Sequence, residues 1–460
     1  MKELARLTAA PALVLALGGC AGFSADGGMG EVARLTQART GHSVAQLRSR
    51  ADAEAVQARI DALLAAPLSA DGVVELALLG NQGLQARLGD VGLAEADAVQ
   101  AGRPRNPALS LGRLAGAGTL EIDRGVLVSL LDLLTLPQRR ETAGLRFERA
   151  RYAAAAEAVA TAREAQLAYF DAVAAQQLAA YARQVVDAAD ASGELAQRMA
   201  AAGNLSRLDQ LREQAFHADA QAALAQREHD AVRTRERLAR ALGLTGVQLA
   251  RVQLPDRLPD LPDAAPAALD AEQAAVRQRL DIRMARLDAD VTARELGLSE
   301  VAGFVNVLDV GWQDKSVRGA PAQSGATLSV ELPLFDFGGT ARSRARTAYE
   351  QALHHAASVA VNALSELREA QSRCDSAYAL ARHYRDEVLP LRQRISEENL
   401  RRYNGMLIDV FELLADARGQ ISAVSDGIGA TRDFWVARTR LQSAIDGGDV
   451  NNPKNEGGQP

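Results

Sequence analysis

The chain has 460 residues, with 52 Lys and Arg against 58 Asp and Glu and a formal net charge of −6. This mild acidity argues against nucleic acid as the main partner, because a phosphate-binding surface needs net or clustered positive charge. Hydrophobic residues make up 48% but aromatics only 4%, a composition that suits long helices packed side by side better than disorder or a bulky globular core. Past the first residues no apolar run reaches the roughly 18 residues of a helical membrane span. The two cysteines, Cys20 and Cys374, cannot build a disulfide framework.

Lys2 and Arg6 precede an apolar run, Leu7 to Leu17, that ends in Gly18, Gly19 and Cys20. A charged start, a short apolar stretch and small residues before a cut read as a secretory signal over residues 1–19. Leu17 to Cys20 resembles the bacterial lipoprotein lipobox. The resemblance implies cleavage before Cys20 and acylation there, tethering segment 20–68 to a bilayer at about 0.8 kcal/mol per buried CH₂. Ala21 follows, where an Asp would indicate inner-membrane retention, so outer-membrane lipid is favoured.

The rest of the chain is written twice. At an offset of 202 positions Val159 meets Val361, Glu164 meets Glu366, Gly203 meets Gly405, Leu208 meets Val410 and Leu211 meets Leu413. Residues 69–254 and 269–446 form two repeats, each reading as helix, β-hairpin and long helical hairpin. Between them, 255–268 is a connector whose Pro255, Pro259 and Pro262 cannot continue a helix. The Gly- and Asn-rich tail, 447–460, reads as disordered.

In the first repeat Leu109 and Leu111 alternate with Ser110 and Gly112. Leu120, Ile122, Val126, Val128 and Leu130 share one parity, opposite Glu121, Asp123, Gly125 and Ser129, and Arg124 breaks the apolar face. The second repeat has a less regular stretch, Phe304 to Trp312, and a clean alternation from Ala326 to Leu334. Gly116 to Gly118 and Gly319 to Pro321 read as hairpin loops. On the last strand Thr327, Ser329 and Glu331 are expected on a lumen face, with Leu328, Val330 and Leu332 toward lipid. Gln138 to Gly203 reads as one helix of roughly 100 Å. Its counterpart, Ala341 to Gly405, carries Pro390, which should kink or interrupt it.

Strands of about 9–11 residues suit a tilted membrane crossing. Four of them cannot close a barrel, and an open edge in lipid leaves backbone groups unsatisfied at several kcal/mol each. If the hairpins enter a membrane, other copies of the chain must complete the barrel. A small soluble sheet capping a helical bundle stays open on this pattern alone.

Three motifs narrow the choice: Arg105-Asn106-Pro107 with the following Ala-Leu-Ser-Leu; Leu332-Pro333-Leu334-Phe335-Asp336-Phe337-Gly338-Gly339; and Tyr403-Asn404-Gly405 continuing to Leu413-Leu414-Ala415. In this order, duplicated and behind a lipobox, they resemble the TolC-like outer-membrane efflux proteins in their lipid-anchored branch, over about Leu68 to Asp446. The resemblance implies a mainly α fold with a small membrane β part, in which four strands per protomer build a trimeric 12-stranded outer-membrane barrel. It also implies a periplasmic helical barrel, a homotrimer, a periplasmic adaptor and an inner-membrane pump. Such a protein is a passive exit duct for small toxic compounds or metal ions. Two alternatives are the duct of a type I protein-secretion system and a non-pore periplasmic coiled-coil scaffold lipoprotein.

A conduit needs no catalytic constellation, and the sequence contains no GxxxxGK[ST], HExxH or CxxC. No enzyme activity, cofactor or metal site is therefore expected. His354 and His355 are adjacent and point about 100° apart on a helix. The resemblance puts adaptor docking at the two tips, Gly203, Asn204, Leu205 and Gly405, Met406, Leu407, where Gly supplies the freedom to reverse the chain. The plainer reading is that each Gly caps a helix and each Leu packs inward. After the second tip Asp409, Glu412 and Asp416 share one helix face, opposite Val410, Leu413, Leu414 and Ala417. In a trimer a lumen-facing stripe would stack carboxylate rings that attract cations and gate a constriction; otherwise it is a solvated face.

Overall fold

The computed structural model describes residues 22–116, 119–264, 278–302, 305, 307–331, 335 and 337–447. The signal peptide, Cys20, the end of the connector, residues 332–334 with Asp336, and the tail from 448 lie outside these. Four helices open the described chain: α1 (Met29–Thr40), α2 (Arg50–Leu63), α3 (Ala70–Gly80) and α4 (Gln82–Ala101). A hairpin follows, β1 (Ala108–Gly116) and β2 (Thr119–Ser129), then α5 (Leu130–Ala201), α6 (Arg207–Leu242) and the short α7 (Gly246–Arg251). The second repeat gives α8 (Leu280–Ala302), β3 (Val307–Val317), β4 (Gln323–Glu331) and α9 (Gly339–His383). A π-helical turn (Tyr384–Val388), α10 (Leu389–Asn404) and α11 (Val410–Asp446) complete it. Among the described residues no helix is long and apolar enough to cross a membrane.

Helix ends follow local chemistry. Ser49 and Asp52 form a capping box at α2, and Ser69 and Ser206 accept from the N–H groups of Gly72 and Asp209 to start α3 and α6. Two boundaries differ from the sequence reading. Leu130 is helical rather than the end of a strand, and α5 starts eight residues before Gln138 with Pro137 inside it. The strand runs into the helix without a loop, so apolar parity alone misplaces the junction. The third strand, described over Val307–Val317, runs five residues past the expected end at Trp312, because Gly311 and the charged Asp314 blur its alternation; Phe304 and Asn306 lie outside the described residues.

Contacts divide the chain into two units, each drawing on both repeats. The first holds the chain up to Val32, Leu88–Ala154 and Asp281–Val361; the second holds Ala33–Arg87, Ala155–Leu280 and the chain from Asn362. In the first, antiparallel α5 and α8 are laced by Arg294–Glu141 at 3.0 Å, Arg149–Asp288 at 2.6 Å, Arg283–Glu148 at 2.8 Å and Arg146–Glu295. Each exposed pair contributes well under about 1 kcal/mol, but the set fixes helix register. Near Gly28 the backbone N–H groups of Gly28 and Gly30 donate to Asp26, holding its carboxyl below the usual range.

In the second unit Leu76, Leu238 and Leu242 pack around Tyr169, Phe170 and Val173, while Leu367, Cys374 and Tyr378 pack around Phe434 and Leu441. A stacked contact between Phe170 and Trp435, centroids 5.4 Å apart, links the two clusters. The Pro-rich connector is built into this core rather than loose. Leu258 and Leu261 are buried, Trp435 donates to the Pro259 carbonyl at 3.0 Å, and Tyr378 donates to that of Pro262 at 3.1 Å. Tyr169 donates to Leu68 O at 3.0 Å, and burial pushes its hydroxyl up to about 12.

Pro390 does interrupt its helix, through the π turn just before it. Leu389 N–H reaches back five residues to Tyr384 O, which inserts one extra residue into the helix. Upstream, buried residues of the two repeats correspond at offset 202: Ala165 with Leu367, Ala172 with Cys374, Ala179 with Ala381. Downstream they correspond at 203: Ala220 with Ala423, Thr234 with Ala437, Leu238 with Leu441. The offset of 202 read through the second tip is therefore one residue short. Leu211 corresponds to Leu414, not Leu413.

Candidate functional site: the sheet faces and the helix tips

The four strands form one antiparallel sheet in the order β1-β2-β3-β4. Directly paired residues share a face. Leu109, Val126, Trp312 and Ala326 form one row, and Val128, Val310 and Leu328 the next. Leu308 and Val330 continue that face, which is apolar and outward: Leu111 is 83% exposed and Trp312 56%. Toward the hairpin loops the face turns polar. There Arg124, which breaks the apolar parity, lies opposite Asp314 with a guanidinium-to-carboxylate distance of 3.6 Å. A charge that looked misplaced in one strand is matched by its cross-strand neighbour.

The other face carries Ser110, Asp123, Gln313, Lys315, Thr327, Ser329 and Glu331, with Lys315 paired to Glu121. Thr327, Ser329 and Glu331 thus share the polar face, and Leu328 and Val330 the apolar one. Gly311 is required there, since a Cβ would meet Val126 O at 2.5 Å and Thr327 Oγ1 at 2.8 Å. Within the described chain β1 pairs only with β2 and β4 only with β3, so both outer edges keep unpaired N–H and C=O groups.

Both tips are Schellman turns. At the first, Gly203 N–H donates to Ala200 O and Asn204 N–H to Met199 O, with Gly203 at φ 75°. At the second, Met406 donates to Tyr403 O and Leu407 to Arg402 O, and the left-handed residue is Met406, φ 60°. The expectation that Gly405 reverses the chain is corrected. Gly405 has φ −83°, and the extra residue in the π turn moves the left-handed position on by one. Met406 is 93% exposed and Leu407 71%, whereas Leu205 is half-buried. A non-glycine residue in this conformation costs about 1–2 kcal/mol. Met406→Gly should therefore raise thermal stability slightly while removing the exposed side chain. Circular dichroism melts check the first effect.

The three acidic residues separate by role. Asp409 Oδ1 accepts from Glu412 N–H at 2.9 Å and caps α11, as Ser206 caps α6. Glu412 is exposed. Asp416 is half-buried, with Oδ2 shielded and lacking a hydrogen bond. At the corrected offset its counterpart is Glu213, a residue the sequence reading missed. Glu213 is 3% exposed and accepts from Ser192 Oγ at 2.7 Å and from Arg418 at 2.7 Å, while Arg418 lies 4.4 Å over the Phe216 ring. The two repeats therefore place an acid at one position, tied across repeats in one copy and unpaired in the other. Only the structural offset brings Glu213 and Asp416 into register.

No protein-family model and no curated protein matches the sequence. Solved structures do. The outer-membrane channel OprN superposes with a TM-score of 0.68 at 20% identity, covering 90% of this chain and 96% of that one. The outer membrane protein VceC from Vibrio cholerae gives 0.69 at 14% identity, over 83% and 97%. The open state of the MtrE outer membrane channel from Neisseria gonorrhoeae gives 0.65 at 18% identity, over 82% and 88%. The chain has the fold of the TolC-like outer-membrane channels, long helices with a small four-stranded sheet.

Proposed function

We propose that the chain is the outer-membrane exit duct of an efflux assembly. Three copies joined β4 to β1 close a twelve-stranded barrel, apolar face to lipid and polar face to the lumen. The duct conducts small toxic compounds or metal ions passively, from a periplasmic adaptor and an inner-membrane pump to the exterior. The observation that carries this reading is the four-stranded sheet itself, with an exposed apolar face and two open edges. In lipid those edges must be paired, and copies of the same strands supply the pairing. Acylation at Cys20 would add a second hold on the membrane. The tips, with Met406 and Leu407 outward, offer an apolar docking surface to the adaptor.

Of the acidic stripe, Asp416 is the gating residue, because its counterpart Glu213 is neutralised by Arg418 and it is not. A ring of such carboxylates attracts cations and repels itself. Single-channel current through the lipidated protein in a planar bilayer tests the reading, with Glu412→Ala/Asp416→Ala alongside, which leaves the Asp409 cap intact. Cation-preferring openings, larger or more frequent in the variant, are expected. Openings that the substitutions leave unchanged would keep the duct and remove the gate. A monomer without conductance would favour the scaffold.

A further inference from the structure

At the base of the sheet, the chain after β4 carries exposed phenyl rings and the chain before β1 lines a groove. Ala108, Ser129, Val307 and Glu331 all lie at this base, away from the hairpin loops, since Ala108 pairs with Leu127, Ser129 with Asp309 and Val307 with Glu331. Just past β4, Phe335 is fully exposed and Phe337 65% exposed. Phe337 is held in the left-handed region, φ 48°, its carbonyl accepting from Arg342 at 2.9 Å. Two exposed phenyl rings beside a strained backbone are a poor arrangement for an isolated surface. Just before β1, Phe23, Val99, Arg103, Pro104, Arg105 and Arg139 line a groove of about 880 Å³. Asp132 holds two of its arginines, with Arg105 at 2.9 Å and Arg139 at 3.8 Å, and the Arg105 side chain is 75% exposed.

We infer that Phe335 and Phe337 of one copy seat in the Phe23–Arg105 groove of the next copy, forming an aromatic lock at the foot of each β4–β1 seam. This rests on the trimeric reading. Pairing β4 with a neighbour's β1 brings the chain just after Glu331 beside the neighbour's chain just before Ala108. The groove has a mixed lining: Phe23, Val99 and Pro104 offer apolar contact to the rings, and among its polar groups, which include Asp97 and Gln100, the guanidinium groups suit an aromatic face. Aromatic and Arg residues in a desolvated pocket are the usual strong points of an interface.

The test joins Arg105→Cys with Phe335→Cys in the full-length chain and treats detergent-solubilised protein with a short bismaleimide. A ladder of covalent dimer and trimer on denaturing gels is expected from the double variant and from neither single variant. Phe335→Ala, which adds no new chemistry, should weaken the trimer about tenfold or more by native mass. A wild-type chain that stays monomeric overturns the trimeric reading and this contact with it. A trimer whose two thiols both label singly but never crosslink overturns the contact alone. Retained phospholipid that shields Arg105→Cys from labelling in such a trimer gives the groove to lipid and also overturns it.

Discussion

Arg163→Met is expected to destabilise the protein by about 3–5 kcal/mol, because it strands a buried carboxylate. Arg163 and Asp446 are 8% and 5% exposed and lie 2.9 Å apart, and the same guanidinium donates to Arg39 O at 2.8 Å and to Gln166 at 2.9 Å. Burial pushes the Asp446 carboxyl above its ordinary 3.8, against the pull of Arg163. A folded carboxyl that holds its proton to higher pH than the unfolded one lowers stability as pH rises through that window. Removing Arg163 raises the carboxyl further. The deficit of the variant should therefore be small below the ordinary carboxylate value and grow toward neutral pH. Thermal unfolding across this range checks it, and a deficit independent of pH would show that lost packing, not charge, is responsible. Arg163→Met with Asp446→Leu should recover most of the loss.

Gly243→Ala is the second large effect. Gly243 ends α6 at φ 69°, and a Cβ there would lie 2.5 Å from Gly80 O and 2.7 Å from Asn81 Cα. These are backbone atoms that cannot swing aside, and Asn81 Nδ2 fixes the approach by donating to Ala241 O at 3.0 Å. About 1–2 kcal/mol for the left-handed conformation adds to about 1–3 kcal/mol of overpacking. Gly203→Ala is the internal control: φ is 75°, yet nothing lies within 4 Å of its Cβ position, so only the first contribution applies. Urea unfolding of the two variants should differ by the clash alone, and equal losses would contradict the close helix–helix approach.

The faces of β4 were legible because period-two alternation is a direct consequence of strand geometry: the parity of Leu328 and Val330 against Thr327 and Ser329 gives them without any tertiary information, whereas the end of the less regular β3 was misplaced. The duplication was equally legible over long helices rich in Ala and Leu. What failed was register. Gly405 invites alignment with Gly203, but one inserted residue in the π turn shifts every position after it, and nothing in Tyr384–Val388 announces the insertion except Pro390 nearby. The Glu213–Arg418 tie was hidden for a different reason, since its partners are far apart in sequence and each alone reads as a surface charge. Asp409 fitted a stripe by spacing, while its side chain was committed to a helix cap.

The pairing of β2 with β3 has a consequence for how such a chain came to assemble. Among the described residues that ladder alone joins the two repeats; β1–β2 and β3–β4 lie within them. A chain with one repeat would carry one hairpin and would have to make the β2–β3 contact between separate molecules, with twice as many copies in the ring proposed above. Duplication and fusion turn every second encounter in that ring into an intramolecular one, at an effective concentration set by the covalent link rather than by expression level. It also frees the two halves to diverge. Once they are covalently linked, one can keep an acid satisfied by Arg418 while the other leaves its acid open.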